Sequence, residues 1–192
     1  LTATPPGAAA RLRIVHVRNA DRVSGPERLL LDQIRHAAPG MEASLAVFES
    51  PGPPNVFLEA ARAEGVPATG LAQRSSYDVR IGRRLREHLR AVHADVVVTH
   101  DYKANHMGRQ AARRLALPWV AVVHGYTAED AKVRLFEALD RRALRRADAV
   151  VVVAGALEQR LLAAGVPRAR LHRIDNGVDV QAVAAAAAAG AA

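Results

Sequence analysis

Two short apolar runs, Val96–Thr99 and Trp119–Val123, limit most strongly what this chain can fold into. Both are rich in β-branched residues and neither alternates with polar ones, which is the pattern of strands buried on both faces. Between them Ala104, Met107, Ala111 and Leu115 recur at helical spacing. Strand, helix, strand is a parallel βαβ unit, and a parallel sheet needs helices on its faces. The rest of the chain supplies them. Leu12–Val17, Ser44–Phe48, Thr69–Leu71, Ala149–Val153 and Leu171–Ile174 read as further strands. Helical patterns follow Gly25, span 55–63, carry Ile81, Leu85, Leu89 and Val92 on one face, and run from after Asp130 to Arg146. In that last helix Val133, Phe136, Leu139 and Ala143 form the apolar stripe. A further helix holds Leu157, Leu161 and Ala164. The alternation predicts one doubly wound α/β domain with a mainly parallel sheet of about six or seven strands.

A chain of 192 residues, half of them hydrophobic, can bury a proper core. Aromatics make up only 4%, so Val, Leu, Ile and Ala must build it. Cysteine is absent, which removes disulfides, thiolate nucleophiles and Cys-ligated zinc and fits a reducing compartment. No apolar run approaches the ~20 residues of a membrane span, and Leu1–Ala10 does not read as a secretory signal. A cytoplasmic location is expected. Residues 1–10 read as a disordered tail, and 180–192, almost pure alanine, as a tail or the start of a second domain.

The formal net charge is +8, and the arginines are scattered over helices. A nucleic-acid surface would need a basic stripe with stacking aromatics, so no nucleic-acid partner is expected. The helix that ends at Arg146 has a polar face of Lys132, Arg134, Arg141, Arg142, Arg145 and Arg146. Its stripe is expected to pack on the sheet, while the basic face leaves open peripheral contact with an anionic membrane.

In open α/β sheets the ligand crevice lies outside the carboxyl ends of the strands. His100 and His124 each end a strand there, so both are candidates. His124 can be satisfied by backbone or can donate a hydrogen bond to a ligand, and Gly125 lets the chain approach that ligand closely. His100 and Asp101 stand in a polar strand-to-helix loop that can equally cap the helix. Ser24-Gly25-Pro26-Glu27 suits a capping box, and a small-residue loop at a helix N-terminus is also where phosphates bind. The spacing there is neither G-x-G-x-x-G nor a Walker loop. His16, His36, His88, His93, His106 and His172 show no metal spacing and receive no role.

These segments together resemble the N-terminal domain of glycosyltransferase family 4, retaining enzymes of GT-B architecture, over about Arg11 to Asp179. Ser24-Gly25-Pro26-Glu27-Arg28 is similar to the family's Gly-Gly-x-Glu-Arg segment, with Ser24 replacing the first glycine. Val97–Lys103 is similar to the segment that ends the strand before the acceptor cleft, and Val122-Val123-His124-Gly125 to the strand-ending His-Gly. Arg145–Val151 resembles the arginine-Ala-Asp region before a strand, with Ala154-Gly155 where Ser is usual. Ile174–Asp179 is similar to the Ile-Pro-Asn-Gly-Val-Asp junction, with Asp175 replacing proline.

The resemblance implies a Rossmann-like acceptor-side domain over 11–179, facing a second domain that would hold the nucleotide-sugar and an E-x7-E motif. The formal match from Glu129 to Glu137 lacks the flanking glycines and reads as chance helix-surface carboxylates. The resemblance further implies a catalytic role for His124. It implies substrate binding by Ser24, Gly25, His100, Asp101, Tyr102, Lys103, Gly125 and Tyr126. No metal and no cofactor are expected beyond the nucleotide-sugar co-substrate. The implied function is sugar transfer to a glycan or lipid-linked acceptor, incomplete in this chain alone. A non-catalytic Rossmann-like module that docks to a partner or membrane is the alternative. A different Rossmann-class nucleotide enzyme is disfavoured by the missing glycine fingerprint.

Overall fold

The computed structural model describes residues 11–75, 78–126 and 131–177. The expected tails at 1–10 and 180–192, the junction residues Val178 and Asp179, and Glu129 lie outside these residues, as do the side chains of Lys132, Val133 and Arg134.

Seven strands form one wholly parallel sheet: β1 (Leu12–Arg18), β2 (Met41–Glu49), β3 (Ala68–Ala72), β4 (Val96–Thr99), β5 (Trp119–Val123), β6 (Ala149–Val152) and β7 (Leu171–Arg173). Their order is β3-β2-β1-β4-β5-β6-β7. Six α-helices connect them: α1 (Gly25–Arg35), α2 (Val56–Ala63), α3 (Ile81–Ala91), α4 (Tyr102–Leu115), α5 (Ala131–Leu144) and α6 (Gly155–Ala163). The order reverses between β1 and β4, and a crevice opens at the carboxyl end of such a switch point.

Residue alternation assigns the two faces. Leu45 and Val47 of β2 pack with Leu30, Leu31 and Ile34 of α1 and Phe57 and Leu58 of α2. Ala46 and Phe48, one residue out of step, join the larger cluster that holds Val15, Val17, Val97, Ala121 and Val150 under α3 to α6. The expected stripe of α3 is buried at Ile81, Leu85 and Leu89, each contributing about 1.5–3 kcal/mol by leaving water. At the carboxyl end of β4, Gly108 of α4 sits so close that a Cβ there would lie 2.4 Å from Thr99 Cγ2.

The helix α5 departs from the expected arrangement. Leu139, read as part of the buried stripe, is 55% exposed, and Leu135 is 58% exposed. Glu137 and Asp140 are turned inward with Ala143 and Leu144 instead. Glu137, expected on the surface, is only 4% exposed. The reason is positional: the inward face of α5 borders the cleft at the carboxyl edge, where polar groups find polar partners.

Candidate functional site at the carboxyl edge of the sheet

The cleft at the switch point has a volume of about 360 Å³, within the usual range for small-ligand sites. Its walls come from the ends of β1, β4 and β5 and from α5, with Arg18, His100, Asp101, His124, Tyr126 and Asp140 among the lining groups. A larger concavity of about 670 Å³ lies at the amino ends of β1 and β2. Topology disfavours it, because strand carboxyl ends and not amino ends present the ligand edge.

His100 and His124 line the cleft, and His16 adjoins His100 to complete a row of three histidines. His16 Nδ1 is 2.9 Å from His100 Nε2, and His100 Nδ1 is 3.2 Å from His124 Nε2. Neighbouring β1, β4 and β5 bring them together. Burial drives His16 down to about 4 and, chiefly by burial with Arg18 adding, His124 down to about 4. His100 is held well below its ordinary value by burial, then by its two histidine neighbours and Arg18. All three are therefore neutral at pH 7. A neutral imidazole has one donor and one acceptor, so the row suits hydrogen bonding rather than charge.

Arg18 closes one side. Its Nε donates to Glu27 Oε1 at 2.8 Å, and a terminal nitrogen donates to the carbonyl of His100. Glu27 is 3% exposed and also accepts from the Ser24 backbone N–H at 3.1 Å and from the Ser24 hydroxyl. Burial raises the Glu27 carboxyl, but Ser24 and Arg18 outweigh it and hold it below the ordinary value. Breaking such a buried pair typically costs about 3–5 kcal/mol.

On the other side, hydrogen bonds run from the sheet to Tyr126. Trp119 Nε1 donates to Thr99 Oγ1 at 2.8 Å, Thr99 donates to Asn105, Asn105 Nδ2 donates to Asp140 Oδ1 at 2.8 Å, and Tyr126 donates to Asp140 Oδ2 at 3.2 Å. Burial pushes Asp140 up to about 6 against the lowering effect of Asn105 and Tyr126. Arg141 and Arg160 lie 5.4 and 4.9 Å from the Tyr126 ring centroid, and each is 3.7 Å from Glu137.

The expected site residues divide between cleft and scaffold. His100, Asp101, Tyr102, His124, Gly125 and Tyr126 line the cleft. Asp101 has both oxygens engaged: Oδ1 caps α4 through the N–H groups of Lys103 and Ala104, and Oδ2 accepts from Asn19 at 2.7 Å. Tyr102 stacks on Phe136 with centroids 5.5 Å apart. Lys103 turns away, donating to Gln73 with its ammonium 5.6 Å from the Phe48 ring centroid. Ser24 and Gly25 are exposed, and this loop gives the cleft wall Pro26 instead. A Cβ at Gly25 or Gly125 would meet nothing within 4 Å, so the protein itself leaves room there for a ligand. His16, Arg18, Glu27, Asn105 and Asp140 were not expected as site residues. The capping-box spacing already pointed at Glu27, and Arg18 ends the first strand. Among the described residues no cluster of three or more His, Cys, Asp or Glu could hold a metal ion.

The model of Glycosyltransferase Family 4 matches residues 23–182. The chain belongs to glycosyltransferase family 4. Comparison with curated protein sequences finds no match. Among solved structures, HepE of Anabaena in complex with UDP-glucose superposes with a TM-score of 0.75 at 16% identity, over 89% of this chain and 45% of HepE. The lipopolysaccharide outer core galactosyltransferase WaaB gives 0.68 at 11% identity, over 88% and 47%. A UDP-N-acetylglucosamine 2-epimerase from Rickettsia bellii gives 0.61 at 13% identity, over 86% and 45%. Transferases and epimerases thus share the fold, and the family match, not the superposition, separates them. The chain spans under half the length of each of these structures. Among the described residues no helix is long and apolar enough to cross a membrane.

Proposed function

We propose that this family 4 domain forms the acceptor-side wall of a retaining glycosyltransferase, which moves a hexosyl group from a nucleotide-sugar to a glycan or lipid-linked acceptor. A second domain would supply the opposite wall and most donor contacts, and the nucleotide-sugar would be the only co-substrate. One observation carries the reading: His124 and Gly125 end β5 at the rim of the switch-point cleft, with the imidazole neutral and anchored to His100.

The chemistry is consistent with that anchoring. An oxocarbenium-like transition state places positive charge on the sugar, which a protonated imidazole would oppose. A neutral His124 gives a hydrogen bond without that penalty, and a preformed donor needs no reorganisation as charge develops. Arg18 adds positive charge nearby, tempered by Glu27. The exposed Leu135, Leu139 and Arg142 on α5, with exposed Arg146 just after it, support peripheral contact with the inner face of the cytoplasmic membrane.

The test is His124→Ala in the chain extended by its second domain. Losing one transition-state hydrogen bond should lower kcat by ~10²–10³ and change the donor KM much less. The melting temperature should stay close to that of the parent. Near-normal turnover per folded molecule in a destabilised protein would return His124 to a purely structural role.

A further inference from the structure

Aromatic rings are scarce in this chain, and one stacked pair stands outside its core. The sequence holds three Phe, three Tyr and one Trp. Phe48, Phe57 and Trp119 are 2% exposed or less. Tyr102 and Phe136 belong to neither apolar cluster. They stack on each other instead, with ring centroids 5.5 Å apart and planes 7° apart. Tyr102 is 47% exposed and lines the cleft beside His100 and Asp101. A large apolar surface held out of the core and turned to a cavity points to a ligand, because burying it would have stabilised the fold further.

Phe136 covers one face of the Tyr102 ring, so the other face and the hydroxyl edge are the parts left open. Among the described residues that hydroxyl has no hydrogen-bond partner. Tyr102 is the first residue of α4, directly after the Asp101 cap, which fixes it at the carboxyl edge of the sheet. It thus offers an apolar plane with a polar handle at its rim. A pyranose has the matching surface. Its axial C–H groups make one face apolar, and its hydroxyls, which both donate and accept, ring the edge. The negative face of the aromatic ring attracts those C–H groups, whose hydrogens are slightly positive. A lipid chain fits less well, because it would strip water from Arg18 and Asp140 in the same cleft and return no hydrogen bond. A nucleobase also stacks, but it is recognised by groups set along its edge, and the adjacent Asp101 has both oxygens engaged by backbone N–H groups.

We propose that Tyr102 is the platform on which a pyranose ring of the acceptor stacks by its C–H face. This inference deepens the acceptor-side reading of the cleft and rests on it. It makes the acceptor a sugar where it enters the cleft, whether that sugar belongs to a free glycan or heads a lipid-linked one. It also makes Tyr102 a specificity residue, since an epimer that turns a hydroxyl into the stacked face meets the ring with a polar group and binds less well.

The experiment is binding of the methyl α- and β-glycosides of glucose, galactose and mannose to the purified 192-residue chain, with uridine monophosphate as the nucleotide control. Saturation-transfer NMR reads which ligand protons touch the protein, and the ¹H–¹³C spectrum reads the Tyr102 ring. At least one glycoside should receive saturation mainly through the C–H groups of one face and should move the Tyr102 resonances. Tyr102→Phe should keep that pattern, because the plane remains. Tyr102→Ala should weaken binding ~5-fold or more, as removing a ring does where bases stack on protein aromatics. Tyr102 is half exposed, so both variants should melt close to the parent. If no glycoside moves the Tyr102 resonances, if Tyr102→Ala binds as the parent does, or if only uridine monophosphate gives a response, the proposal is overturned. Binding is read without turnover, so sugar transfer can fail while this result stands, and the reverse.

Discussion

His16, His100 and His124 stay unprotonated because burial dominates at each ring, with Arg18 adding to it at His100 and His124 and outweighing Glu27, which favours the charged form of His124. That has a consequence for stability. The unfolded chain takes up protons on these rings as pH falls through 6.5, while the folded state resists down to about 4 for His16 and His124. Stability should therefore be full above pH 6.5 and be lost toward pH 4. Asp140, raised from 3.8 to about 6, works in the opposite direction, since its folded form takes a proton first. Asp101, also raised by burial, acts with Asp140, while His88 and Glu27, both lowered, act with the three histidines, so acidification should destabilise on balance. Urea unfolding at pH 5 should therefore give a clearly lower free energy than at pH 7. A flat or rising profile would contradict the neutral row. At this scale the sequence was only partly legible. His100 and His124 were found because both end strands. His16 was not, because it stands 84 residues from His100 and the two meet only through the pairing of β1 with β4. Lys103 was drawn in by its neighbours in a motif-like run, yet it points toward Gln73.

Elements were more legible where burial decided them. The β-branched runs at Val96–Thr99 and Trp119–Val123 form β4 and β5 over those same residues, and α3 buries the expected side chains. The misreading of α5 has a physical cause. Periodicity puts leucines inside and carboxylates outside, but a helix beside a polar cleft can turn Glu137 and Asp140 inward and leave Leu135 and Leu139 in solvent. Two outcomes follow from element packing. Gly108→Ala would press a methyl group onto Thr99, whose hydroxyl accepts from Trp119. It should cost about 1–3 kcal/mol, read from urea denaturation, and an unchanged midpoint would mean that α4 can lift from β4 freely. The exposed face of α5 should bind anionic vesicles weakly. Salt near physiological strength should weaken that binding, because charges are screened beyond about 8 Å, and replacing Leu135 and Leu139 by alanine should weaken it further. Equal binding to neutral and anionic vesicles in a sedimentation assay would remove the electrostatic part.

For the whole molecule, the fold class was readable because strand and helix patterns alternate without interruption from Leu12 to Arg173. The strand order was not readable, since periodicity says nothing of which strands become neighbours. That order places β1 beside β4 and so creates both the cleft and its histidine row. In the proposed reading this cleft faces a second domain, and the structures the chain resembles extend for more than as much chain again. The most direct measurement is the release of nucleoside diphosphate from a panel of nucleotide-sugars by the purified 192-residue chain, beside the same chain joined to the proposed second domain. The expected result is no release by the chain alone and steady turnover by the joined form. Release by the chain alone, lost on His124→Ala, would show that this one wall is a complete enzyme and would contradict the two-walled site.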